Sequence, residues 1–237
     1  MRLRFLNSFV EDGNMCENIE PGVGKKNSEI FFKNNNISID NTIYLNVKDN
    51  NIIKEYDSSK VETKPYNIPN MDADAIITKT ENLFLYQKFG DCVPFTVYDK
   101  KQSILVFAHI GIHSAIKKLH IEIINKLVSE YNCKIEDLMC YLGPSIKKES
   151  YLKKLDDNQI FNEWNKFLEK KNNGMYSVDL QGFIVHGLIN MNISKDNIEV
   201  SDIDTAKDER YFSHYRSKND PNLKEQRFIY GVMMIDN

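Results

Sequence analysis

"FGDCVPFTVYDKKQSILVFAHIGIHS", residues 89–114, carries two β-branched and aromatic runs on either side of a polar turn. Val93, Phe95 and Val97 alternate with Pro94, Thr96 and Tyr98; Ile104, Val106 and Ala108 alternate with Leu105, Phe107 and His109. A period of two bounded by turn residues predicts two strands. A four-residue turn over Asp99–Gln102 joins them as a hairpin with Tyr98 opposite Ser103, Thr96 opposite Leu105, Pro94 opposite Phe107 and Cys92 opposite His109. In that register thiol and imidazole share one face, with Cβ atoms about 4.5 to 5.5 Å apart. The other face is apolar throughout and is the expected core face. Pro94 marks an edge or a bulge, because it offers no N–H to a ladder.

Working outward, "DAIITKT" (74–80) and "LFLYQKF" (83–89) add two strands before the hairpin. After it, "HSAIKKLHIEIINKLVSEYN" (113–132) changes period, with Ile116, Leu119, Ile123, Leu127 and Tyr131 on one side of a helix that Ser114 caps. "LMCYLGPS" (138–145) is a strand stopped by Gly-Pro. Helical patterns follow at "DNQIFNEWNKFLEKK" (157–171), where Trp164 joins Phe161 and Leu168 in the core, and at "DLQGFIVHGLINMNI" (179–193), capped by Asp179. "IEVSDI" and "RFIYGVMMID" close the chain as strands. Strands mixed with long helices predict an α/β or α+β sandwich with helices outside the sheets.

The chain has 237 residues and a mass of 27.7 kDa, enough for one domain over 1–237 with a large core. Its 31 basic and 34 acidic side chains leave a net charge of −3, and the lysines are scattered. No stripe for nucleic acid is present, and a small-molecule substrate is the expected partner. No run approaches the length of a membrane span, and the apolar run at the N-terminus is too short for a signal peptide. Cys16, Cys92, Cys133 and Cys140 show no CxxC spacing, which fits free thiols in a cytoplasmic setting. His120 and His186 read as helix-face or core residues and His214 as a turn residue.

Cys92 and His109 read from spacing alone are either a reactive pair or two small groups in a sheet. Four blocks add to that reading: "GDC-P" at 90–94, "AH-G" at 108–111, "LGPSI" at 142–146 and "YFSHYR" at 211–216. Their order resembles the laccase-domain family, also described as polyphenol oxidase-type or multinucleoside purine phosphorylases. The resemblance implies a single-domain αββα sandwich with mixed sheets, and a surface site where one cysteine and two histidines hold zinc (copper in older descriptions). It further implies phosphorolysis of adenosine, inosine and related purine nucleosides, and adenosine deamination. Cys92 and His109 take the places of a cysteine and a histidine ligand, and Arg216 and Arg227 those of two arginines that suit phosphate.

Three segments depart from the family pattern. Lys48 stands where the second zinc histidine belongs, and no histidine precedes His109 in the chain. Ile112, His113 and Ser114 replace Trp-Arg-Gly, and Asp204 with Thr205 replaces Cys-Thr. An ammonium offers a metal no lone pair, so Lys48 points to a metal-free site unless His113 substitutes as a ligand. Beside a bare thiol the same lysine favours thiolate, which makes Cys92, His109 and Lys48 a candidate nucleophile, base and cation. The expectations are therefore a purine nucleoside phosphorylase, a metal-free Cys–His thiol hydrolase of deamidase type, or a silent member that acts by binding. A homodimer, or pairing with a paralogue, is the expected assembly.

Overall fold

The computed structural model describes residues 1–17, 21–57, 63–65, 68–155 and 163–236. The strand-forming runs build two mixed sheets. In the first, β1 (Arg2–Asn7), β14 (Phe228–Ile235), β6 (Phe84–Phe89), β2 (Thr42–Asn46) and β4 (Met71–Asp72) lie side by side in that order. The second runs β13 (Ile198–Val200), β9 (Leu138–Leu142), β7 (Val93–Asp99), β8 (Ile104–Ile110), β5 (Ala75–Thr78) and β3 (Ile53–Glu55). A small sheet of β10 (Leu152–Lys153), β12 (Tyr176–Val178) and β11 (Leu168–Lys170) lies beside them.

Three apolar layers hold the sheets and helices together. Leu85, Phe89, Phe228 and Val232 of the first sheet meet Ile76, Tyr98, Leu105 and Phe107 of the second. The outer face of the first sheet carries α1 (Val23–Asn34), whose Phe31 and Phe32 pack on Phe84, Tyr86 and Met233. The outer face of the second carries α2 (Ile112–Ile116), α3 (Leu119–Tyr131) and α4 (Leu180–Asn190) on Val93, Phe95, Val97, Val106 and Ala108. The order α, β, β, α is the sandwich that the sequence predicts. Because both faces of β7 are covered, all seven of its residues are buried, and the face that looked mixed in sequence is the seam between the sheets.

The hairpin register departs from expectation by two residues. Asp99 stays in the ladder opposite Ile104, so Pro94, not Cys92, opposes His109. The carboxylate of Asp99 is the reason: it accepts the Lys101 and Gln102 N–H groups at 2.9 and 3.0 Å and moves the turn to residues 100–103. A shift of two keeps every side chain on its expected face. Pro94 is accommodated at the end of the β7–β9 ladder, which starts at Phe95↔Leu142, and its carbonyl accepts the Gly143 N–H at 2.9 Å.

Helical periodicity overran the chain in two places. The stretch 113–132 is two helices, because Lys118 adopts φ 60° and turns the chain between α2 and α3 while leaving the apolar residues on one side. Ser114 lies inside α2, where its hydroxyl accepts the Gly111 N–H at 3.0 Å and is not the N-cap. In 157–171 the described part is a 3-10 turn, Asn165–Phe167, followed by β11; Phe161 and the start of that pattern lie outside the described residues. Trp164 is buried as expected, stacked on Phe183 at 4.1 Å. Asp179 caps α4, accepting the Gly182 N–H at 2.8 Å.

Two consequences are measurable. Gly231 sits opposite Tyr86 in the centre of the first sheet, where a Cβ would meet Phe84 Cζ at 2.5 Å and Tyr86 Cβ at 2.7 Å. Gly231→Ala lowers stability by about 1–3 kcal/mol, read as a drop in the urea midpoint. His120 is 1% exposed between α3 and α4, and burial lowers its pKa from 6.5 to about 3. The unfolded chain then binds the extra proton first, so stability present above pH 6.5 is lost as pH falls toward 3. The slope from this group reaches at most about 1.4 kcal/mol per pH unit, and His120→Phe removes it from a urea series taken across that window.

Candidate functional site

Cys92 immediately precedes β7 and His109 lies near the end of β8, so the two strands bring both to the same end of the second sheet. They converge over Gly111, where a Cβ would lie 3.2 Å from Cys92 Sγ and 3.7 Å from His109 Cε1. A Cβ there would crowd the sulfur by a few tenths of an ångström and touch the imidazole at ordinary van der Waals distance. The two groups line a cleft of about 430 Å³, which also takes in Asp49, His113, Tyr151 and Lys153. Tyr215 and Lys218, from α5 (His214–Asn219), complete it. A second cavity, about 270 Å³ between α3 and α4, is lined by His120, Phe183 and His186 and contains none of the motif residues.

A buried carboxylate assembles the cleft. Asp91, 6% exposed and at φ 94°, accepts the Thr205 hydroxyl at 2.7 Å, the Ser213 hydroxyl at 3.0 Å and the Tyr215 N–H at 2.6 Å. Its carbonyl accepts the Ile146 N–H at 3.0 Å. These bonds bring the LGPSI and YFSHYR blocks to the GDC block, which is why segments distant in sequence close one site. Asp74 does the same for the loop after β2, accepting N–H groups from Lys48, Asp49, Asn50 and Ile52 at 2.7 to 3.0 Å. That loop presents Asp49 to the cleft.

The thiol and the imidazole are neighbours but not a hydrogen-bonded pair. His109 Nδ1 is buried with no partner among the described residues, and its ring lies 5.3 Å from the ring of Phe89. Burial lowers the His109 pKa against the opposing fields of Asp49 and Asp74, leaving a neutral imidazole. Burial, then Asp91 and Asp49, pushes the Cys92 thiol up to about 12, against Arg227 and Lys153. Burial, with Asp91 and Asp49 behind it, outweighs the cations and so opposes the activated thiolate expected beside Lys48.

The remaining candidates are placed as follows. The Lys48 ammonium lies 3.5 Å from Asp72 and does not line the cleft; its neighbour Asp49 does. His113 is exposed on the cleft wall. The Arg216 guanidinium donates to the carbonyls of Thr205, Ala206, Asp208 and Tyr211, fastening the 205–211 loop. Arg227 lies over Gly90 and donates to Glu225 and to the Gln226 carbonyl. His214 lines the cleft with Nδ1 3.0 Å from Glu225 Oε1. Asp91, Asp49, Tyr151 and Lys153 escaped the sequence reading; of these only Asp91 had a signal, its place inside the GDC block.

A zinc centre takes three protein ligands, and a ligating histidine donates its second N–H to an acceptor. Among the described residues no three His, Cys, Asp or Glu side chains gather in that way. The donors present do not fit a zinc or copper centre.

The family model for multi-copper polyphenol oxidoreductase laccase matches residues 15–229, and the chain belongs to that family. A purine nucleoside phosphorylase of Staphylococcus saprophyticus is 28% identical over 147 residues, 60% of this chain and 54% of that one. Another, of Bacteroides thetaiotaomicron, is 24% identical over 168 residues, 68% of this chain and 60% of that one. The chain thus spans little more than half the length of these relatives. The solved structure of the YfiH protein of Bacillus licheniformis superposes with a TM-score of 0.81 at 19% identity, over 93% of this chain and 85% of that one. YlmD from Geobacillus stearothermophilus gives 0.81 at 16%, over 94% and 85%. At these identities the structures establish the shared fold.

The electrostatics predict slow alkylation. Iodoacetamide modifies Cys92 at neutral pH no faster than the buried Cys133 and Cys140, whose thiols are also raised to about 12. Asp91→Asn removes the nearest opposing charge and speeds modification of Cys92 alone. Peptide mass spectrometry over a pH series reads both results.

Proposed function

We propose that the cleft catalyses phosphorolysis of purine nucleosides. A phosphate oxygen forms a bond to ribose C1′, the N-glycosidic bond breaks, and the purine leaves with the electron pair and takes up a proton. The observation that carries the reading is the convergence of Cys92 and His109 over Gly111 in a cleft built from the family's own sequence blocks. The names of the relatives support the substrate class.

The chain's residues have defined parts in this reaction. With Nδ1 of His109 buried and unpartnered, we assign the imidazole proton to Nε2, which serves as a donor to the purine nitrogen that receives the electron pair. The protonated Cys92 thiol is a neutral wall and a weak donor beside it, not a nucleophile. Asp49, half-buried at the cleft, accepts hydrogen bonds from nucleoside hydroxyl or amino groups. Adenosine deamination, in which water replaces the 6-amino group and ammonia leaves, is the second reaction assigned to the same cleft.

Incubation of purified protein with adenosine or inosine and phosphate yields ribose 1-phosphate and free base, resolved by liquid chromatography. Replacing His109 by alanine lowers the rate by about 10²–10⁴, the contribution of one positioned proton donor. Inosine formed from adenosine without phosphate isolates the deamination. If neither product forms above the His109→Ala background, phosphorolysis is wrong for this chain, and the incomplete donor set favours a member that binds without turnover.

A further inference from the structure

An anion entering a cleft that already holds carboxylates needs a cation not committed elsewhere. The two arginines that the sequence offers for phosphate are committed: Arg216 to backbone carbonyls of the 205–211 loop, Arg227 to Glu225 and Gln226. Lys218 lines the cleft but lies 3.7 Å from Glu225, and Lys48 faces Asp72 outside it. Lys153 differs from all of these. It lines the cleft, it is half-buried, and it has no ion-pair or hydrogen-bond partner among the described residues. Its backbone is fixed by pairing with Tyr176 of β12, and its charge reaches the Cys92 thiol.

We propose that Lys153 forms the anion subsite of the cleft and holds the phosphate next to the Cys92–His109 corner, an inference that rests on the phosphorolysis reading for its natural ligand. The other charges in the cleft fit this division. Asp91 is satisfied by three donors, and Glu225, which does not line the cleft, is occupied by His214, Lys218 and Arg227. Asp49 lines the cleft without such side-chain partners among the described residues, and it repels an anion while accepting hydrogen bonds from the hydroxyl and amino groups of a neutral nucleoside. An ammonium without a counter-ion among the described residues is free to donate to a phosphate oxygen. Lysine acts here as a point charge on a flexible stem, which suits a substrate that must enter and be consumed.

The test uses Cys92 as a local reporter and does not depend on turnover. At alkaline pH, modification of Cys92 is compared for anionic iodoacetate and neutral iodoacetamide, with and without inorganic phosphate. Lys153→Met keeps the aliphatic stem and lowers the iodoacetate-to-iodoacetamide rate ratio about tenfold, the low end of what a charged cleft does for local counter-ion concentration. Phosphate slows iodoacetate in the wild type and in Lys153→Arg, but not in Lys153→Met. An unchanged ratio, or an equal change with both reagents, overturns the subsite. If the ratio behaves as expected while no nucleoside is cleaved, the anion subsite stands and the phosphorolysis reading falls. If nucleoside is cleaved and the KM for phosphate is the same in Lys153→Met, the reverse holds.

Discussion

The carboxylate of Asp91 is the interaction on which the cleft depends. It accepts three hydrogen bonds from Thr205, Ser213 and Tyr215 in a position 6% exposed to solvent. Hydrogen bonds to a charged group in such surroundings are among the stronger ones a protein makes, and leaving their partners unmet is costly. The same charge that fastens α5 to the sheet lies one residue before Cys92 and adds to the effect of burial, the larger cause, in raising the thiol pKa.

The donor set separates the chain from the chemistry that its motif implies. In the sequence, a lysine at the expected histidine position made metal binding doubtful and thiolate chemistry attractive. In the fold, neither follows from Lys48, because its ammonium turns to Asp72 while the loop around Asp74 directs Asp49 to the cleft. The His109 Nδ1 is buried without a partner among the described residues, and the proposed donor role of the imidazole rests on that geometry. The result is a polar corner flanked by Asp49 and Lys153, whose charged groups have no ion-pair partner among the described residues.

Much of the fold was legible because burial on both faces writes continuous apolar runs, as in β7 and β8. The faces of the hairpin were legible as well, since they depend on parity alone; the register was not, because it turned on one side chain, Asp99, bonding to its own turn. The break at Lys118 was invisible to periodicity for the same local reason. At the site, Cys92 and His109 could be named from the motif, whereas Lys153 and Asp49 sit in segments with no distinguishing pattern and gain meaning only from what lies next to them. The arginines misled because a guanidinium that binds carbonyls looks, in sequence, the same as one that binds phosphate.

The position of β14 has a further implication for how the molecule is made. It lies between β1 and β6 in the first sheet, so strands near the two ends of the sequence are joined only when the last one arrives. During synthesis β6 and β1 therefore wait with open backbone groups and bare aromatic faces, among them Phe84 and Phe89. Non-local pairing of this kind slows closure and leaves sheet edges open to other chains. Until β14 pairs, both of those edges stay open, and its insertion between them seals the first sheet.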